Sequence, residues 1–168
     1  MLTRYIFTKK EFDSWDLITI ILYTIITIVV NYWDLVFQNP EFAKDFILIY
    51  SFTPIILYLF NYKSLRNVYS FLYWLVVSIY HFKLYNDLIL SDVLLFKVGH
   101  AANGIHYTLC YLIFFMLLRS FSLYFLKKEL VAPVYMGGRY DIHDNRKISM
   151  WDWSLFAIYI TLWFYFML

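Results

Sequence analysis

Charge is scarce in this 168-residue chain. Charged residues are 15% of it, the net charge is only +2, and there are four glycines, three prolines and one cysteine. Each shortage excludes something. With Cys110 alone, no intrachain disulfide and no cysteine-based metal site can form, and the thiol is expected to pack as a small hydrophobe. There is no glycine-rich phosphate loop, no serine or cysteine nucleophile beside a histidine, and no protease dyad inside an apolar run. The weak positive charge gives no reason to expect a nucleic-acid partner. Residues 1–16 mix Arg4, Lys9 and Lys10 with Glu11, Asp13 and Asp16 and lack an apolar core followed by a small-residue cleavage site. They read as a short interfacial segment rather than a secretory signal, and the acidic residues argue against a mitochondrial presequence. No Asp, Glu or Lys lies deep in an apolar run, which counts against an independent ion pathway. The chain does not read as a complete enzyme.

What is present is apolar. Hydrophobic residues reach 62%, aromatics 24%, and mean hydropathy is +0.61. A soluble domain of this length cannot bury so much apolar side chain, so the expected class is an all-α polytopic integral membrane protein surrounded by a lipid bilayer.

Five apolar stretches, 17–37, 42–60, 68–85, 99–126 and 148–168, approach or reach the length needed to cross a hydrocarbon core of about 30 Å. Pro54 inside the second removes a backbone donor and predicts a kink. Residues 88–96, interrupted by Ser91 and Asp92, are too short to span and read as interfacial. Arg119 lies near the far end of the fourth stretch, from where it is expected to snorkel. Trp151, Trp153 and Trp163 fit interfacial belts at the ends of the fifth. Residues 127–147 form the largest polar segment, with a Gly137-Gly138 turn signal. Its Asp141, His143 and Asp144 lack the usual metal-ligand spacing, so the segment is expected to be a solvated loop or a docking surface for a soluble partner. Of the 14 basic residues, all but Lys44, Lys83 and Lys97 fall on one side of such an arrangement. The positive-inside rule then predicts five spans with the N-terminus inside and the C-terminus outside.

The most distinctive stretch opens the fourth span, at His100-Ala-Ala-Asn-Gly-Ile. If it is helical, His100, Gly104, Tyr107 and Tyr111 fall within about 40° of one line, while His106 points about 120° away. Gly104 would leave a gap one turn from His100, and His81 would sit at a similar depth. On residues alone, His100 is either a ligand or an interfacial imidazole bonded to a backbone carbonyl or lipid headgroup. The two tyrosines either line a cofactor or simply pack.

His100, Asn103, Gly104 and Ile105 resemble the His-x-x-Asn-Gly-Ile haem-helix signature of the cytochrome b anchor subunit of succinate dehydrogenase, respiratory complex II. That family continues with Arg-His, where this chain has His106 and Tyr107. Its Trp-Asp, Ser-Pro-His and His-Arg signatures are missing here, and the match covers about a dozen residues. The resemblance implies a respiratory-chain subunit of a mitochondrial or bacterial inner membrane. It also implies haem b with His100 as axial ligand, Gly104 making room for the macrocycle, and a nearby ubiquinone site; Tyr107 and Tyr111 would then line a quinone or porphyrin edge. The second ligand would come from another membrane subunit or from His81, and soluble catalytic subunits would dock on the inner face. Two alternatives remain. One is a non-catalytic structural or accessory subunit of a membrane assembly. The other is a relative of cytochrome c oxidase subunit III, whose Gly-Leu-His is similar to Gly104-Ile105-His106 but whose Trp-His-Phe-Val-Asp is not found.

The topology is directly testable. In a Cys110→Ser background, a cysteine placed at Gly138 should react with an impermeant thiol reagent only after the inner face is opened. Labelling from the outside of sealed membranes would reverse the orientation.

Overall fold

A computed structural model describes residue 7, residues 12–97, 99–133 and 140, and residues 146–167, with side chains described to residue 165. Most of the interfacial segment expected over 1–16, the Gly137-Gly138 turn and the Asp141, His143 and Asp144 group lie outside the described residues. Within them the chain is helical. Its only β-type pairings are two isolated bridges, Leu95 with His100 and Tyr140 with Lys147.

Local chemistry sets the helix ends. α1 (Ser14–Asn31) starts where the Asp13 N–H donates to Asp16 Oδ2 at 3.2 Å, and it stops at Tyr32 before the single turn of α2 (Trp33–Val36). α3 (Pro40–Ser51) has Pro40 in its first turn, where a missing N–H costs nothing, and the Asn39 side chain accepts from Glu41 N at 3.0 Å. α4 (Thr53–Asn61) follows after Phe52 at a bend of 49°. The bend is the kink expected from Pro54. Proline cannot donate to the Tyr50 carbonyl, and the Thr53 hydroxyl donates there instead at 2.5 Å. α5 (Val68–Leu88) is capped by Asn67, which accepts from Tyr69 N at 2.9 Å. α6 (Thr108–Phe121) runs on through a π-helical turn to Leu126 and ends at Lys127, whose φ is +54°. α7 (Met150–Met167) closes the described chain.

The fourth stretch departs from expectation. Its first nine residues, 99–107, are not helical, and α6 begins only at Thr108. Gly99 takes φ +89°, and the chain doubles back so that Ala101 N donates to Leu94 O and Phe96 N to Gly99 O, both at 3.0 Å. Three-residue turns then carry it forward, with Asn103 N bonded to His100 O at 3.1 Å and Ile105 N to Ala102 O at 3.0 Å. Residues 88–96 and 99–107 form one compact reversal between α5 and α6.

The core has two parts. α4, α5, α6 and α7 close on Leu57, Tyr58, Trp74, Phe115, Tyr159 and Trp163. At the other end, Val30, Ile47, Leu84 and Leu94 close on Ala101, Ala102 and Ile105 of the reversal. α1 lies outside both for most of its length, with Leu17, Ile18, Ile21, Leu22 and Ile25 exposed along one face. Among the described residues, two helical segments, Ser14–Asn31 and Thr108–Leu126, are long and apolar enough to cross a membrane, or three if the bent α3–α4 pair counts as one span.

The reversal depends on a backbone that side chains resist. A Cβ at Gly99 would adopt the left-handed region and sit 3.4 Å from the Asn103 side chain. Gly99→Ala is expected to cost on the order of 1 kcal/mol, seen as a lower thermal midpoint in detergent with helix content unchanged. An unchanged midpoint would mean that the turn is not strained.

Candidate functional site

The residues expected to share one helix face are separated by the reversal. His100 lies in it, 7% exposed. Its Nδ1 accepts from Ala102 N at 3.2 Å, which leaves Nε2–H to donate to Ser91 O at 3.3 Å. Burial holds this imidazole below the usual histidine range, against the opposing pull of the Ser91 carbonyl. Gly104 is buried in the turns, not on a helix. Tyr107 ends the turns with its ring 3.6 Å from that of His106, whose other neighbour is Tyr85 at 4.2 Å. Only Tyr111 is in α6, and its hydroxyl donates to Leu162 O of α7 at 3.2 Å. The single line of imidazole, gap and two phenols therefore does not form, because the helix that would align them starts too late.

The structure gathers polar groups around His81 instead. This residue of α5 is fully buried. Its Nδ1 lies 2.9 Å from the Thr108 hydroxyl at the start of α6, and that hydroxyl itself donates to Ile105 O at 2.7 Å. The proton between them therefore sits on Nδ1. Nε2 lies 2.9 Å from the hydroxyl of Tyr23 of α1 and 2.8 Å from that of Tyr50 of α3. Tyr23 also meets Thr53 of α4 at 2.7 Å, and Tyr50 meets Thr27 of α1 at 2.8 Å. One imidazole thus ties together five helices. The Tyr23 and Tyr50 rings stack at 5.4 Å, and Trp74 meets Tyr23 edge-on at 4.8 Å. His81 was anticipated as an alternative ligand, but Tyr23, Tyr50, Thr53 and Thr108 were not singled out. The available signal was Tyr23 and Thr27 four residues apart inside an apolar span, which places two hydroxyls on one face.

A second polar layer lies at the other end of the bundle. Arg119, expected to snorkel, is instead fully buried and forks onto Glu129, with Nε and Nη2 both at 2.9 Å. Arg66 Nε lies 3.6 Å from the same carboxylate, and its Nη2 donates to Leu130 O at 2.8 Å. Arg146 binds Asp152 with Nη2 at 2.5 Å and Nη1 at 3.1 Å, and it reaches Glu129 O at 3.1 Å. Ser149 N and its hydroxyl bond Asp152 Oδ2 at 2.8 and 2.6 Å. Snorkelling fails because Glu129 folds back beneath the helix end, while Leu130, Val131 and Ala132 are buried behind it. Glu129 to Ala132 of the polar loop are thus internal packing, while Lys127 and Lys128 are exposed.

Neither layer offers open chemistry. In this arrangement both ring nitrogens of His100 and both of His81 lie within hydrogen-bond distance of protein partners. Among the described residues, no group of three or more His, Cys, Asp and Glu side chains could hold a metal ion. Comparison with known protein families, curated proteins and solved structures finds no match.

If His81 is the interlock, His81→Leu should destabilise the bundle more than Tyr50→Phe. It leaves three hydroxyls short of a partner, at about 2 kcal/mol in total, whereas Tyr50→Phe removes one hydroxyl from a network that can rearrange. Denaturant unfolding in mixed micelles measures both. Equal losses would show that the histidine is not the hub.

Proposed function

We propose that this chain is a non-catalytic membrane subunit that works inside a larger membrane assembly. The observation that carries the reading is a division of labour among side chains. Arg66, Arg119 and Arg146, the two carboxylates that pair with them, His81 and His100 are all occupied in joining segments of the chain, while the outward faces are apolar. A protein built this way offers surfaces and anchorage rather than a reaction.

In this reading the chain crosses the bilayer five times, N-terminus inside. The crossings are α1, the bent α3–α4 pair, α5, α6 with its π turn, and α7. α5 has 21 residues and α7 has 18, giving lengths of about 32 and 27 Å, enough for a hydrocarbon core of about 30 Å with little mismatch. Arg66, Arg119 and Arg146 then lie at the inner boundary, consistent with the positive-inside rule. The narrower reading, a haem b and ubiquinone anchor in a respiratory complex, rests on the match at His100, Asn103, Gly104 and Ile105. It requires His100 to leave Ser91 and Ala102, or a partner subunit to rebuild the reversal.

The test is extraction of the chain from its native membrane in a mild detergent, followed by native electrophoresis. The chain should resist a carbonate wash and migrate in a stoichiometric complex well above its 20.5 kDa monomer, with no absorbance lost in a His100→Ala variant. Migration as a free monomer would overturn the subunit reading. A b-type spectrum abolished by His100→Ala would replace it with the haem-anchor reading.

A further inference from the structure

α1 and α5 do not close against each other along their whole length. Between them lies a groove of about 410 Å³, within the range of volumes that hold small ligands. Its walls are Ile28 of α1 and Val76 and Val77 of α5. Ile28 and Val76 are 54% and 66% exposed, so the groove opens sideways, towards whatever surrounds the bundle. Its floor is polar but internally satisfied. The Thr24 hydroxyl donates to Ile20 O at 2.7 Å and meets Tyr73 at 2.8 Å, and Thr27 belongs to the His81 network.

One end differs. Asn31, the last residue of α1, accepts from the Tyr80 hydroxyl at 2.5 Å through Oδ1. That bond directs the amide –NH₂ away from Tyr80, and this nitrogen makes no hydrogen bond among the described residues. Tyr32, the next residue in the chain, also lines the groove. Asn31 is exposed, so the two amide donors are open to an acceptor at this end of the groove. The groove is therefore apolar along its walls and carries an amide donor at one end, at the boundary where α1 leaves the membrane in the proposed topology.

From this we infer that the α1–α5 groove is a binding site for a membrane phospholipid. One acyl chain lies along Ile28, Val76 and Val77, and a glycerol-ester carbonyl or phosphodiester oxygen accepts from the Asn31 amide. The inference rests on the membrane reading above. Depth matches chemistry: ester carbonyls sit at the edge of the hydrocarbon core, where the end of a span also sits. A bound chain would also fill a gap that leaves α1 held to α5 chiefly by hydroxyl contacts.

The test uses the full chain in nanodiscs containing phosphatidylcholine with a photoreactive diazirine in its acyl chain, with adducts mapped by mass spectrometry. Adducts should concentrate on Ile28, Val76 and Val77. Val76→Trp, which fills the groove, should lower them about fivefold while leaving those on Ile18 and Leu22 unchanged. Asn31→Leu should lower them by a similar factor, the size expected for loss of one hydrogen bond. Adducts as dense on Ile18 and Leu22 as in the groove, and indifferent to both substitutions, would overturn the site while leaving the membrane reading intact. No adducts on any face of α1, together with release by carbonate, would defeat both. If Val76→Trp loses helix content, an unchanged pattern in Asn31→Leu is enough to reject the site.

Discussion

Hydrogen bonds between helices are the constraint on which this structure depends. Lipid tails are as apolar as leucine, so apolar contact alone gives spans in a bilayer little reason to choose one partner over another. A polar side chain buried without a partner does have a reason, because leaving it unpaired costs on the order of 1–3 kcal/mol. α1 shows the consequence. Its bundle-facing stripe is a run of polar contacts: Trp15 Nε1 donates to Asn61 at 2.9 Å, Asp16 accepts from Ser64, and Tyr23, Thr24, Thr27 and Asn31 follow at helical spacing. Its opposite face is almost uniformly aliphatic. The stripe sets the rotation of α1 about its axis, which packing by Leu17 or Ile18 cannot do, since those residues touch little of the bundle.

The two polar layers divide the task. Around His81 the partners of the imidazole are hydroxyls, each able to serve as donor and acceptor at once. That composition suits a site deep in the bundle, where a charge would be costly. At the other end the groups are ionic, with Arg66, Arg119 and Arg146 set against Glu129 and Asp152. An Arg fork matches a carboxylate in two bonds, so Arg119 can be fully buried while its charge stays compensated. Between the layers the core is aromatic, with Tyr58 and Tyr159 at 4.2 Å and Phe52 and Trp163 at 4.8 Å.

This economy bears on function. A histidine held by two phenols and a threonine has no nitrogen left for a metal, and a carboxylate held by two arginines is a poor general base. Both sets of side chains join segments that are far apart in the chain. The groove beside Asn31 is different in kind. There a donor is left over, and the surface next to it is apolar.

Much of the fold was legible because its causes are local. A helix in an apolar run satisfies its own backbone, so composition and length were enough to announce helices at each apolar stretch. The bend at Phe52 followed from Pro54, whose missing N–H acts within one turn. The cap at Asn39 before Pro40 is local in the same way. What sequence could not decide was where the helix of the fourth stretch begins and what the polar residues inside the spans touch. His100 to Tyr107 have the apolar pattern of a helix, yet Gly99 turns the chain back, and the reversal packs in one cluster with Val30, Ile47 and Leu84. His81 finds partners 58, 31 and 27 residues away, at Tyr23, Tyr50 and Thr108. Arg119 found Glu129 only because the chain after Lys127 folds under the helix. Periodicity and propensity act over a few residues, whereas a hydrogen bond between helices exists only once packing has brought both ends together. The helices were therefore a property of the sequence, and the His81 hub, the arginine layer and the separation of His100 from Tyr111 were decisions of the tertiary structure.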